Sequence, residues 1–305
     1  MSSKLLIWGW YSDYDISSFL NLKKYGYSVH NRSMNKVIRF FSKIPIVGRY
    51  FLQIHFKKFL KTLGKGYKVI FSDDVLYYPS FIELLEKNNI PSGNLIVLLR
   101  NKISKSTHCN IEILKLVTDK IYTFDKYDAE EFGVRFIEQF LPVVFNNFSS
   151  DSTKHNRAYF LGLDKGRCSL LQSLKKLLNT HGIVCDFIIV KSGFIYKLKR
   201  FLGYKVGLTY EENISRLMRS DFVIEVCAHN ATGLTLRALE AVHYKKKLVT
   251  NNHDIKSYEF YNPNNIIIID DDLIVDPEFF NSNFDERSTL SDKFYSHTVY
   301  LKILS

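Results

Sequence analysis

Short runs of apolar residues recur along this chain, and between them the apolar positions fall three and four apart. In the first half, near-continuous runs predict strands at Lys4–Trp10, Lys68–Asp73, Leu95–Arg100 and Lys120–Phe124, with helices at Ile16–Tyr25, Phe81–Asn88 and Ile111–Val117. Strands that are apolar throughout and separated by helices belong to parallel sheets covered on both faces. The pattern lapses between Pro142 and Arg157, where Asn, Ser, Asp and Thr without a period read as a linker. It then restarts. Strands are predicted at Ala158–Leu163, Val184–Val190, Phe222–Val226, Lys247–Thr250 and Ile266–Asp270, and helices at Ser169–Asn179, Glu211–Arg219 and Leu234–Tyr244.

This alternation predicts an α/β protein of two Rossmann-like domains, with parallel sheets facing an interdomain cleft. The expected domains are residues 1–145 and 157–305, the second ending in C-terminal helices. The length of 305 residues suits two domains of ordinary size. With 46% hydrophobic and 24% charged residues, the composition excludes a disordered or low-complexity chain. No run is long enough to span a membrane and no secretion signal is visible, so a cytoplasmic protein is expected. Cys109, Cys168, Cys185 and Cys227 form no C-x-x-C pair, which gives neither a zinc signature nor a disulfide framework.

Charge changes the picture. A net charge of +11 calls for an anionic partner: nucleotide, phosphorylated glycan, lipid surface or nucleic acid. The bias is strongest in Asn35–Gly66, where Lys36, Arg39, Lys43, Arg49, Lys57, Lys58, Lys61 and Lys65 occur without any acid and are interleaved with Phe, Ile and Leu. Such a stretch suits the inner face of an anionic membrane, each cation near the surface contributing about 1 kcal/mol. The alternative is a pair of core-packing helices, broken at Pro45 and Gly48, with a solvated basic face.

Three strand-to-helix loops carry candidate chemistry. Gly233-Leu-Thr-Leu-Arg-Ala-Leu-Glu240 would open a helix at Gly233, so that Gly233 and Thr235 cradle a diphosphate while Arg237 and Glu240 serve phosphate and ribose. Arg237 and Glu240 also fit an ordinary surface pair one turn apart. Gly162-Leu-Asp-Lys-Gly-Arg167 lies at a strand end, where Lys165 and Arg167 would add charge for phosphate beside Gly162; the other reading is a plain turn. It is neither a P-loop nor the dinucleotide fingerprint. In Trp8-Gly-Trp-Tyr-Ser-Asp-Tyr-Asp15, the rings of Trp8, Trp10 and Tyr11 would pack on a sugar acceptor, and Asp13 or Asp15 would take the hydroxyl proton. Asp15 also reads as a helix N-cap. Asp13-Tyr-Asp15 and Asp270-Asp271-Asp272 match D-x-D, but their positions argue against a metal role, and none is expected.

Several of these segments resemble bacterial glycosyltransferases of lipopolysaccharide-core and exopolysaccharide clusters, of the lipopolysaccharide-core rhamnosyltransferase-like type. The carriers are Tyr127–Phe136, Phe160–Arg167, Gly233–Ala241, Lys247–Asn252 and Tyr258–Ile266. The resemblance implies a two-Rossmann-domain, GT-B-like fold, a nucleotide-sugar donor such as dTDP-rhamnose on the second domain, a lipid-linked glycan acceptor on the first, and no essential metal or other cofactor. One departure stands out: Thr232 occupies the first acidic position of the Glu-x₇-Glu pattern of many retaining members. Two rival functions read less well. A basic non-enzymatic protein binding nucleotide or nucleic acid lacks any recognised nucleic-acid motif, so no nucleic-acid partner is expected, and an NAD-dependent oxidoreductase lacks its fingerprint.

Overall fold

The computed structural model of the chain describes residues 3–32, 44–63, 66–88, 91–142, 144–145, 155–190, 207–227, 233–270 and 272–305. Residues 35–43 and 64–65 of the basic stretch, most of the linker, Thr232 and Asp271 lie outside them. The chain divides into two compact units, residues 1–138 with 295–305 and residues 139–294. The last eleven residues, expected in the second domain, therefore belong to the first unit. Their helix, Ser296–Leu304, stacks Tyr300 on Phe19 with ring centroids 4.3 Å apart, and the Lys68 ammonium bonds the Leu304 carbonyl.

The first unit has a six-stranded sheet of β1 (Ser3–Trp8), β2 (Tyr27–Arg32), β3 (Tyr67–Phe71), β4 (Leu95–Leu99), β5 (Ile121–Thr123) and β6 (Arg135–Phe136). Its order is β2-β1-β3-β4-β5-β6 and every pair is parallel. The central strand β4 is Leu-Ile-Val-Leu-Leu and buried along its whole length, as a strand covered on both faces requires. The edge strands differ: β2 ends in His30, Asn31 and Arg32, and β6 is exposed. Neither edge has the apolar run that marks a strand in the sequence.

The second unit has a five-stranded sheet of β7 (Arg157–Leu163), β8 (Val184–Val190), β9 (Phe222–Glu225), β10 (Lys247–Thr250) and β11 (Ile266–Ile268), in the order β11-β10-β9-β7-β8 and again all parallel. Counted from each unit's own first strand, both sheets begin with the order 2-1-3-4-5. Each is Rossmann-like. In such a sheet the strand order reverses beside the first strand, and ligands bind beyond the carboxyl ends at that switch point. The switch lies between β1 and β3 in the first unit and between β7 and β9 in the second.

The basic stretch corrects one expectation. Pro45 does not interrupt a helix but begins one, since the first turn needs no donor from it, and Gly48 lies inside the single helix Pro45–Leu63. Gly48 faces inward with Leu52 and Phe56; Phe56 meets Trp8 and Phe81 edge-on, with centroids 5.8 and 5.4 Å away.

Candidate functional site: two switch points

At the second unit's switch point, β7 ends in the turn Asp164–Arg167, and the helix Cys168–Thr180 follows. Arg167 folds back over the strand ends. Its Nη2 donates to the Leu163 carbonyl at 2.7 Å, its Nε to the carbonyls of Leu163 and Asp164, and its Nη1 to that of Val226 beyond β9. From the first turn of the helix Leu236–His243, Arg237 reaches the Leu161 carbonyl of β7. Both guanidinium groups lie against Phe160, at 5.6 Å for Arg167 and 5.1 Å for Arg237 from the ring centroid. Burial, and then the charge of Arg237, pull the pKa of Arg167 down. Two cations thus share one ring, with hydrogen bonds to neutral carbonyls. An anion placed there would relieve their repulsion.

Gly162 has a different use from the one expected. A Cβ at this position would lie 3.0 Å from Phe160 Cζ and 3.2 Å from Arg167 Nη2, so the glycine makes room for the guanidinium. Lys165 is exposed on the turn with φ 44°, in the left-handed region that costs a residue with a side chain. Gly233 does not open the helix. Thr235 is its N-cap, accepting from the Ala238 N–H at 3.3 Å, and also donates to the carboxylate of Glu225. The Gly233 N–H is taken by Asp254 Oδ2 at 3.2 Å, and its carbonyl by Asn252 Nδ2 at 2.9 Å. The amides expected to cradle a diphosphate are in part committed to the protein.

Glu240 overturns the surface-pair reading. It is only 3% exposed, in the interior beside Tyr210 and Asn213, whose side-chain amide oxygen accepts from the Tyr159 hydroxyl at 2.9 Å. A carboxylate so buried is not presented to a ribose. Burial pushes its pKa up to about 7, against the pull of Arg237. Glu225 is a second buried carboxylate, held by the hydroxyls of Thr235 and Thr250. Burial also pushes the neighbouring Cys227 thiol up to about 12, which leaves it an inert thiol.

At the first unit's switch point, Gly9 follows β1 with φ +83°, and a Cβ there would lie 2.3 Å from Ser72 Oγ. Only glycine fits. The Ser72 hydroxyl donates to the Gly9 carbonyl at 2.9 Å, which ties the end of β1 to the end of β3. Trp8 and Trp10 do not form the expected platform. Trp8 is 1% exposed in the core, and Trp10 is 3% exposed with its indole donating to the Ile70 carbonyl at 3.3 Å. Tyr11 remains half-buried at the edge, its hydroxyl 2.8 Å from Asp74 Oδ2.

Asp15 does not cap the helix Asp13–Leu20, whose N-cap is Ser12. It is buried and forms an ion pair with Arg100, while the Ser12 hydroxyl bonds the same carboxylate. Arg100, just beyond β4, also faces the rings of Tyr14 and Phe124 at 5.9 and 5.6 Å. Asp13 is exposed. Asp73 accepts from the backbone N–H groups of Arg100 and Asn101 at 3.0 and 3.1 Å, and burial raises its pKa against those bonds. Arg100, Phe160, Glu225 and Asp254 were not singled out from the sequence. The available signal for Arg100 was its place as the first charged residue after the apolar run of β4.

No family model matches the chain, and no curated protein matches it. Among solved structures, it is similar to UDP-GlcNAc 2-epimerase from Methanocaldococcus jannaschii, with 11% identity over 100% of both chains and a TM-score of 0.49. It is also similar to an alpha1,3-fucosyltransferase, with 10% identity over 99% of this chain and 88% of that one and a TM-score of 0.43. Both scores are below 0.5, and the fold rests on the two sheets themselves. Among the described residues, no helix is long and apolar enough to cross a membrane.

Proposed function

We propose that this chain is a glycosyltransferase that takes a sugar from a nucleoside-diphosphate donor held by the second unit. The observation that carries the reading is the pair of guanidinium groups, Arg167 and Arg237, flanking Phe160 at the β7/β9 switch point. That is where a parallel sheet of this order binds ligands, and the cations there suit a diphosphate, whose charge grows as the sugar leaves. The motif resemblance supports dTDP-rhamnose as donor and a lipid-linked lipopolysaccharide-core or related surface glycan as acceptor.

In the transfer, an acceptor hydroxyl oxygen bonds to the anomeric carbon, the bond from that carbon to the diphosphate oxygen breaks, and the hydroxyl proton passes to a carboxylate of the first unit. Asp13 is the better placed of the two expected bases, because it is exposed whereas Asp15 is committed to Arg100. Arg167 and Arg237 stabilise the departing diphosphate in place of a metal ion. A thermal-shift series with dTDP, UDP, GDP, ADP and CMP tests the donor. A ligand at about one hundred times its dissociation constant stabilises by about 2.7 kcal/mol, and at least one nucleoside diphosphate is expected to do so. A flat series, or stabilisation by oligonucleotide instead, would sink the reading in favour of a basic binding protein.

A further inference from the structure

A helix lying on a sheet needs one apolar stripe, and Pro45–Leu63 carries two. The inner stripe, Gly48, Leu52 and Phe56, is buried against the first unit's core. The second consists of Val47, Tyr50, Phe51 and Ile54, spaced i, i+3, i+4 and i+7, and it is exposed: 39%, 64%, 37% and 49%. Exposed Lys57, one turn beyond Ile54, borders this stripe, and Arg49 lies toward its other end, paired with Glu83 at 2.8 Å and still half exposed. The helix sequence also contains Lys58 and Lys61 and no acid.

We infer that this outer face docks on an anionic lipid surface. Charge complementarity selects that occupant. A second copy meeting the same face would set Lys57 against a counterpart helix that has no carboxylate to receive it, since Glu83, the carboxylate beside the face, is already paired with Arg49. A bilayer of anionic headgroups receives the cations and, just beneath, an apolar layer for the rings. Tyr50 suits that boundary, having an apolar ring and a polar tip. The helix then lies in the interface plane, its inner stripe still on the protein core. The inference stands apart from the transferase reading, because lipid binding requires neither donor nor transfer.

The test is co-sedimentation of the full chain with phosphatidylglycerol-containing and with pure phosphatidylcholine vesicles, at low and high salt. Binding is expected to the anionic vesicles alone and to weaken with salt. The double variant Tyr50→Ser, Ile54→Ser removes exposed groups, so it keeps the parent's melting temperature and loses about tenfold in vesicle affinity. Lys57→Glu weakens binding at low salt and has little effect at high salt. No binding by the parent to anionic vesicles at low salt overturns the inference, as does unchanged binding by the double variant at parental melting temperature. Light scattering that finds a dimer dissociated by the double variant would also overturn it and assign the face to a second copy.

Discussion

Two sheets of one topology meet their switch points with opposite chemistry. In the first unit the partly buried cation Arg100 has a carboxylate partner in buried Asp15, and Asp73 is satisfied by backbone amides. In the second unit Arg167 and Arg237 share Phe160, and their hydrogen bonds run to carbonyls at the strand ends. A paired charge stabilises a fold only in the sense that removing its partner is costly; a cation bonded to neutral groups keeps its attraction for an incoming anion. Topology therefore supplies the place for a ligand, and the choice of residues beyond each strand decides whether that place is closed off or remains receptive.

The largest expected effect tests the closed side. Asp15→Ala leaves the largely buried Arg100, whose side chain is 15% exposed, without its carboxylate, and breaking a buried pair in this way costs at most about 3–5 kcal/mol. Urea unfolding of the variant should show a midpoint far below the parent's. A change under about 1 kcal/mol would mean that Arg100 finds another partner, and the contrast between the units would weaken.

Next comes Glu240, whose pKa is raised from 4.5 to about 7 by burial. A carboxyl group with a raised folded-state pKa binds more protons folded than unfolded between those two values. Its contribution to stability is fully present below about pH 4.5 and is lost as pH rises through about 7. The loss amounts to about 3 kcal/mol at most. Glu240→Gln carries no titrating group, so the variant should gain on the parent as pH rises from about 5 to about 8. Parallel stability curves for the two proteins would place the carboxylate in a wetter setting than the one described.

Legibility from the sequence followed apolar runs. Strands with apolar runs were readable: Val184–Val190 and Lys247–Thr250 have the predicted bounds. The edge strands β2 and β6 were missed because their residues are largely polar or exposed and form no apolar run, whereas the edge strand β8 has one. At the site, residue type placed Arg167 and Arg237 near a switch point but gave no sign of where their side chains would turn. Gly162 reads only as part of a phosphate-binding loop until the guanidinium beside it is seen. Trp8 and Trp10 likewise read as exposed rings because they border a loop, yet their area is used in the core. The return of the Ser296–Leu304 helix to the first unit depends on tertiary contacts such as Tyr300 on Phe19, which no local pattern announces.

The receptive side is tested by Arg237→Ala. A charge-assisted hydrogen bond to phosphate is worth about 1.5–3 kcal/mol, so nucleoside-diphosphate affinity should fall by about ten- to a hundredfold in isothermal titration. Folding stability should change by about 1 kcal/mol, because the losses are one carbonyl bond, one ring face and the pull of Arg237 on Glu240, whose raised pKa keeps that carboxyl partly neutral near pH 7. The reverse outcome, a large stability loss with affinity unchanged, would make Arg237 a strut like Arg100 and erase the distinction between the switch points.

The smallest effect sharpens the comparison most. Lys165 holds a left-handed backbone, φ 44°, on an exposed turn, with glycine next to it at φ 80°. Such strain costs a residue with a side chain about 1 kcal/mol and persists either because the turn tolerates it or because the side chain is needed there. Lys165→Gly separates the two. The backbone gains from the relieved strain and loses from the greater freedom of the unfolded chain, so stability should rise by well under about 1 kcal/mol. If the cations that matter are Arg167 and Arg237, anchored to the strand ends, nucleotide affinity should change by less than about threefold, the range of an exposed, solvated charge. A fall of about tenfold or more would make Lys165 part of the anion site and explain why an unfavourable residue occupies a turn that glycine would fit better.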